Sequence, residues 1–366
     1  MKRILSLLLI LILPLSLAAC GDGGTPSEGP TDSAASVSSE PSADKDSGTT
    51  SDTQAVRVIP NQRPTEETNL AIACEQAKSR VVVYNMDAYN GKNLDAATVW
   101  SFTPNSSGSS NMSGVKYRSD SVFGDVVVMC ASGGYASIVT YPKKKVIWSV
   151  SSSGNNPHSI ELLPGGNVVV ASSTGATVRL YHTSALVENP NASVTKGIDY
   201  SLVGAHGVLW DPKYDCLWAL GDGYLDCYTL SGEGTSMVLV KDESRSKRLP
   251  SGNGHDLSAD FTDSDYLWIS EGTQVVRYNK AKGEFEKNYE NKILLNRPAV
   301  KGIGNNRNGH FVYCYPSTDP VTSMADWCTD TIYYVYYNEE GQVRWKACRS
   351  TRSAYYKVVS FYGEYQ

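Results

Sequence analysis

Six basic side chains recur just ahead of or within strand-like stretches, and their types are those of anion and metal chemistry. They are Lys116, His158, His206, His255, Lys301 and Lys357, in segments such as Asn156-Pro157-His158-Ser159, Gly204-Ala205-His206-Gly207 and Asn253-Gly254-His255-Asp256. The intervals between them are 42, 48, 49, 46 and 56 residues, the length of one four-stranded propeller blade. If each opens the innermost strand of a blade, the six converge on one end of a central channel. Three imidazoles then come from consecutive blades and three ammoniums from the others. Neutral imidazoles on adjacent strands suit one face of a Zn, Mn or Ni site that keeps positions open for substrate. The lysines suit a carboxylate, sulfate or phosphate, which they hold as point charges. Crowded ammoniums also lower a lysine pKa toward that of a usable base. These parts match metal-assisted β-elimination beside a carboxylate, in which cations acidify the proton and a His or Lys removes it. On this reading His158, His206, His255 and Lys301 are catalytic, and the three histidines are also the metal ligands. Lys116 and Lys357 bind the anion, and Glu161 and Asp256 orient the histidines from behind.

The elements that position these residues are legible as repeats. Short apolar runs rich in β-branched and aromatic residues follow each basic position, for example Val126-Val127-Val128-Met129-Cys130 and Tyr266-Leu267-Trp268-Ile269-Ser270. Such runs read as buried strands. A third strand follows each after a turn and tends to end in Tyr, as in Val178-Arg179-Leu180-Tyr181 and Val275-Val276-Arg277-Tyr278. Several fourth strands carry Trp, as in Val99-Trp100-Ser101-Phe102 and Ile147-Trp148-Ser149-Val150, where periodic aromatics pack blade against blade. The first blade-like portion has three strands and lacks an inner one. The C-terminal Tyr355-Tyr356-Lys357-Val358-Val359 is an inner strand without a blade. Pairing the two ends predicts an all-β, six-bladed propeller over residues 65–366, closed so that no strand edge is left bare.

The N-terminus predicts export. Met1-Lys2-Arg3 is followed by an apolar run from Ile4 to Leu17 and then Leu17-Ala18-Ala19-Cys20. The run is short for a membrane span and ends in small residues, as a signal peptide does. Residues 21–64 hold few large apolar side chains and read as a disordered tether. At about 44 residues it would span about 35–40 Å as a flexible coil. A net charge of −5 and a pI of 5.6 give no electrostatic footprint for nucleic acid. No nucleophile elbow, zincin helix or P-loop is present. Cys20 aside, seven cysteines remain, so full pairing would leave one over. Cys216 and Cys227 flank a hairpin signal, which places them across paired strands, while Cys74 and Cys130 fit buried packing.

Two resemblances follow from these segments. Leu17-Ala18-Ala19-Cys20 resembles the lipobox of bacterial lipoproteins, which implies that Cys20 is lipidated and that the chain is anchored outside a bacterial cell membrane, on a Gram-positive-type surface. Asn156-Pro157-His158-Ser159-Ile160-Glu161-Leu162-Leu163-Pro164-Gly165-Gly166-Asn167 resembles an uncharacterised family of exported bacterial propeller proteins, loosely related to quinoprotein-like repeats. That likeness covers about residues 65–366 and implies fold, not chemistry. A more distant similarity, confined to axial histidines, is to oligogalacturonate lyases, metal-dependent propellers that cleave acidic sugars. The expectation is a monomeric, lipid-anchored propeller that takes an acidic saccharide or other small anion in its axial funnel. The alternative is a non-catalytic propeller that docks protein or glycan partners, with the basic ring as architecture.

Overall fold

The structure, a computed structural model, describes residues 56–151, 156–316 and 325–366; Cys20 and most of the expected tether lie outside them. Six antiparallel sheets follow one another along the chain. Their inner strands are Tyr355–Ser360, Met112–Ser121, Pro157–Leu162, Gly207–Asp211, Asp256–Ala259 and Gly302–Asn305, numbered here as blades one to six. The protein is a six-bladed β-propeller. Blade one is assembled from both ends of the chain. Its inner strand Tyr355–Ser360 pairs antiparallel with Leu70–Glu75, Val358 lying opposite Ala73 and Lys357 opposite Cys74. This gives both strands the partners that an edge would lack.

The unbroken apolar runs are explained by burial of both sheet faces. Side chains alternate along a strand. In Val126-Val127-Val128-Met129-Cys130, Val127 and Met129 join the core shared with blade one. Val126, Val128 and Cys130 join the core shared with blade three. The outer tryptophans tie neighbours together, as expected: Trp100 Nε1 donates to the Pro142 carbonyl (3.1 Å) and Trp148 Nε1 to the Val194 carbonyl (2.8 Å). Trp345 departs from the pattern and is 40 % exposed.

Two segments outside the blades pack onto them. Residues 61–63, compositionally part of the tether, lie on blades one and two. Asn61 N donates to the Val99 carbonyl (3.0 Å), and Arg63 pairs with Asp120 (2.9 Å) and Asp125 (3.0 Å). At the other terminus, residues 361–366 run across the end of the channel opposite the histidines. Ser119 N donates to the Gly363 carbonyl (3.0 Å), and the Tyr365 hydroxyl donates to the Leu162 carbonyl (2.6 Å). Gln366 Nε2 donates to the Asp260 carbonyl (2.9 Å) and its Oε1 accepts from Lys280 Nζ (2.7 Å).

The seven cysteines within the described residues are all buried free thiols. Cys227 sits opposite Trp218, so it is the diagonal neighbour of Cys216 on one sheet face. Among the described residues, no helix is long and apolar enough to cross a membrane.

Candidate functional site

The chain enters five of the six inner strands through a sharp bend, and that bend fixes which side chain reaches the channel mouth. Asn111, Asn156, Gly204, Asn253 and Ala299 have φ of 56°, 48°, 62°, 53° and 57°, a left-handed conformation that Asn and Gly tolerate best. Two residues beyond each stand Ser113, His158, His206, His255 and Lys301. Four of the six ring positions therefore fall where spacing placed them. Lys116 does not. In blade two the position belongs to Ser113, whose hydroxyl is given to the Pro157 carbonyl (2.5 Å). In blade one it belongs to Tyr356, the residue before Lys357. Lys116 stands three residues beyond Ser113 and Lys357 one beyond Tyr356, so both enter the channel deeper than the ring. Ser113, His158 and Tyr356 are each the extra residue of a bulge in the ladder with the neighbouring strand.

At the mouth, the His158 and His206 rings lie 4.3 Å apart, tilted by 34°. His255 meets His206 edge-on at 5.4 Å and 82°. The Tyr356 hydroxyl is 2.9 Å from His158 Nδ1, and His206 Nδ1 is 2.7 Å from the Gly204 carbonyl oxygen. Lys301 Nζ is 3.4 Å from His255 Nε2, while His255 Nδ1 is buried without a hydrogen-bond partner. Burial is the largest influence on all three imidazoles and disfavours their charged forms. It lowers His206 to about 4 against the pull of the Gly204 carbonyl. It lowers His255 to about 2, helped by Lys301, and puts His158 well below the usual histidine range, helped by His206. At neutral pH the mouth is three uncharged imidazoles beside an ammonium.

Deeper in the channel lies a different arrangement. Lys116 Nζ donates to the carbonyls of Val208 (2.7 Å) and Ile160 (2.9 Å) and to Ser159 Oγ (3.3 Å), which uses its three hydrogens. Lys357 Nζ reaches across the axis to Asp256 Oδ1 (3.0 Å) and the His206 carbonyl (3.1 Å). Asp256 Oδ2 in turn accepts from Ile303 N (3.0 Å). Glu161 does not orient a histidine. It takes both arms of Arg118 (2.9 and 2.7 Å) and accepts from Leu162 N, a forked pair between blades two and three. These groups brace the inner strands against one another. A lysine is lowered, as crowding predicts, but burial is the larger cause. Desolvation brings Lys116 down to about 8, with Arg118 and Lys357 adding to it and Glu161 opposing. Below the brace lies a cavity of about 50 Å³, lined by Ser159, Leu257, Ser258 and Asn305 and floored by Tyr362 and Gln366.

A zinc-type ion draws imidazole nitrogens to about 2.0–2.1 Å from one point, whereas His158 and His206 here turn their faces toward each other. Among the described residues, no group of three His, Cys, Asp or Glu side chains is arranged to hold a metal ion. The residues missed in the sequence are Ser113, Tyr356, Ser159 and Arg118. Tyr356 and Ser159 left a trace, as the neighbours of Lys357 and His158.

Comparison with known families gives a match over residues 33–320 to a family described as of unknown function, DUF6528. The chain belongs to this family. The DUF6528 match ends before the closing strand, so Tyr356 and Lys357 lie beyond it. No curated protein matches the chain. Among solved structures, a protein of unknown function from Bacteroides caccae is similar at a TM-score of 0.53 with 10 % identity, covering 81 % of this chain and 99 % of that one. A chain of the nidogen/laminin complex is similar at 0.51 with 12 % identity and the same coverages. At such identities these likenesses speak to the DUF6528 fold alone.

Proposed function

We propose that the mouth of the channel binds a small anionic ligand, with an acidic saccharide the favoured class, in a propeller tethered to the outer face of a bacterial membrane through Cys20. The observation that carries this reading is the contact of His158, His206 and His255, brought from three successive blades, beside Lys301. Blade packing does not require it: the apolar cores account for that, and the brace beneath is complete without it. Among the described residues, Lys116, Arg118 and Lys357 are engaged in the brace with Glu161 and Asp256, while Lys301 stands beside the imidazoles. A lysine in such a setting favours an anion.

Imidazoles held this far below the usual histidine range are weak bases for a C–H proton, so binding rather than elimination is the reading carried to the test. The test is titration of the purified protein with oligogalacturonate, beside His158→Ala and His206→Ala. Binding by the parent, weakened at least about tenfold in both folded variants, supports the site. Equal binding by all three proteins removes it. Elemental analysis of the same preparation shows whether a metal accompanies the imidazoles. For the anchor, Cys20→Ser is expected to move the protein from the membrane fraction to the medium; retention at the membrane would refute lipidation at Cys20.

A further inference from the structure

The hydrogen bonds of the mouth fix where its protons are, and this narrows the ligand further. A carbonyl oxygen can only accept, so the 2.7 Å contact with the Gly204 carbonyl puts a hydrogen on His206 Nδ1. An ammonium can only donate, so Lys301 Nζ donates to His255 Nε2. At the mildly alkaline pH of the test below, an imidazole carries a single proton, and for His206 the Gly204 carbonyl fixes it on Nδ1. His206 Nε2, on the edge of the ring turned away from Gly204, is therefore a bare lone pair. Its ring stands in the middle of the three, flanked by His158 at 4.3 Å and His255 at 5.4 Å.

We propose that the mouth selects anions that also carry an O–H to donate, with the anionic oxygens drawn to Lys301 and the O–H received by His206 Nε2. This deepens the anion-binding reading above and rests on it. A sugar acid has the required pattern, because hydroxyl groups accompany its carboxylate. Hydrogenphosphate, free or as a protonated monoester, has it too. Sulfate does not: every one of its oxygens is an acceptor, and one of them would face the lone pair of His206. A site built around a hydrogen bond to a ligand hydroxyl rejects the analogue without it far more strongly than an apolar pocket rejects a missing methylene. Selection here comes from one repulsive contact as much as from an attractive one.

Hydrogenphosphate and sulfate make the decisive pair, since at mildly alkaline pH both are tetrahedral dianions and only one has a proton. Thermal shifts are unsuitable, because sulfate raises folded-state stability by exclusion from the surface. Direct calorimetric titration of the whole protein with hydrogenphosphate, sulfate and galacturonate avoids that. Nitrogen-15 NMR of the histidines, only five in the sequence, reports the tautomers. Expected are a His206 ring protonated at Nδ1, binding of hydrogenphosphate and galacturonate, and sulfate at least about tenfold weaker. In His206→Gln the amide can turn either its oxygen or its NH₂ to the ligand, so the preference for hydrogenphosphate over sulfate shrinks toward unity while binding persists. Sulfate binding as tightly as hydrogenphosphate, or a His206 ring protonated at Nε2, overturns the selection and leaves the anion site standing. Binding of none of the three overturns both.

Discussion

Lys301 and Lys357 occupy neighbouring blades and read alike in the sequence, each at the start of an inner strand, yet they keep different company. Lys357 is 4 % exposed and ends on a carboxylate across the axis. Lys301 meets an imidazole that burial keeps uncharged. A cation matched with a carboxylate and backbone carbonyls has its field cancelled on the spot, and it serves to hold strands together. Lys301 instead stands at the mouth, within reach of His255 rather than of Asp256. One residue type thus occupies two settings on a single axis, one in the brace and one at the mouth where the proposed ligand would enter.

The contrast breaks most clearly at the brace. Glu161→Ala leaves the Arg118 guanidinium buried and unpaired, and loss of one member of such a pair costs about 3–5 kcal/mol. Denaturant unfolding should show that loss; a change below about 1 kcal/mol would mean the brace is not structural. At the mouth the expected sensitivity is to pH. The histidines are held below the ordinary 6.5, so on acidification the unfolded chain takes up protons first. Stability is full above pH 6.5 and falls as pH drops from there toward about 4, where His206 titrates in the fold. The slope is about 1.4 kcal/mol per pH unit for each such group. Unfolding curves between pH 7 and 4.5 check this, and His206→Gln should remove one group's share; an unchanged slope in that variant would show that His206 does not carry it. The smallest effect belongs to Tyr356→Phe, which deletes the hydroxyl on His158 Nδ1. About 1 kcal/mol of stability is expected to go, with a changed His158 nitrogen-15 signal; an unaltered signal would sever Tyr356 from the ring.

The parts of this that could be read in the sequence are those governed by periodic burial. Runs such as Val168-Val169-Val170-Ala171 sit between two blades and must be apolar on both faces, so blade count and closure followed from repetition. His158, His206, His255 and Lys301 were legible from their blade-length spacing, and the structure adds that a left-handed residue precedes each by two, Asn or Gly in three of the four. Lys116 and Lys357 were misplaced because blade lengths vary enough to hide shifts of three residues and one, and the residues that hold the ring position there, Ser113 and Tyr356, are not basic. Arg118 and Glu161 were not legible as a pair: they lie 43 positions apart, and only the packing of one inner strand beside the next brings them together.

The strand Tyr355–Ser360 was described as the piece that completes blade one. It also carries Tyr356 to the mouth and Lys357 to the brace. Ring closure and assembly of the axis are therefore a single folding event. A chain caught before that event has two bare strand edges, an Asp256 without its cation and a His158 without its hydroxyl. Retention on an immobilised anion would then sort finished molecules from unfinished ones.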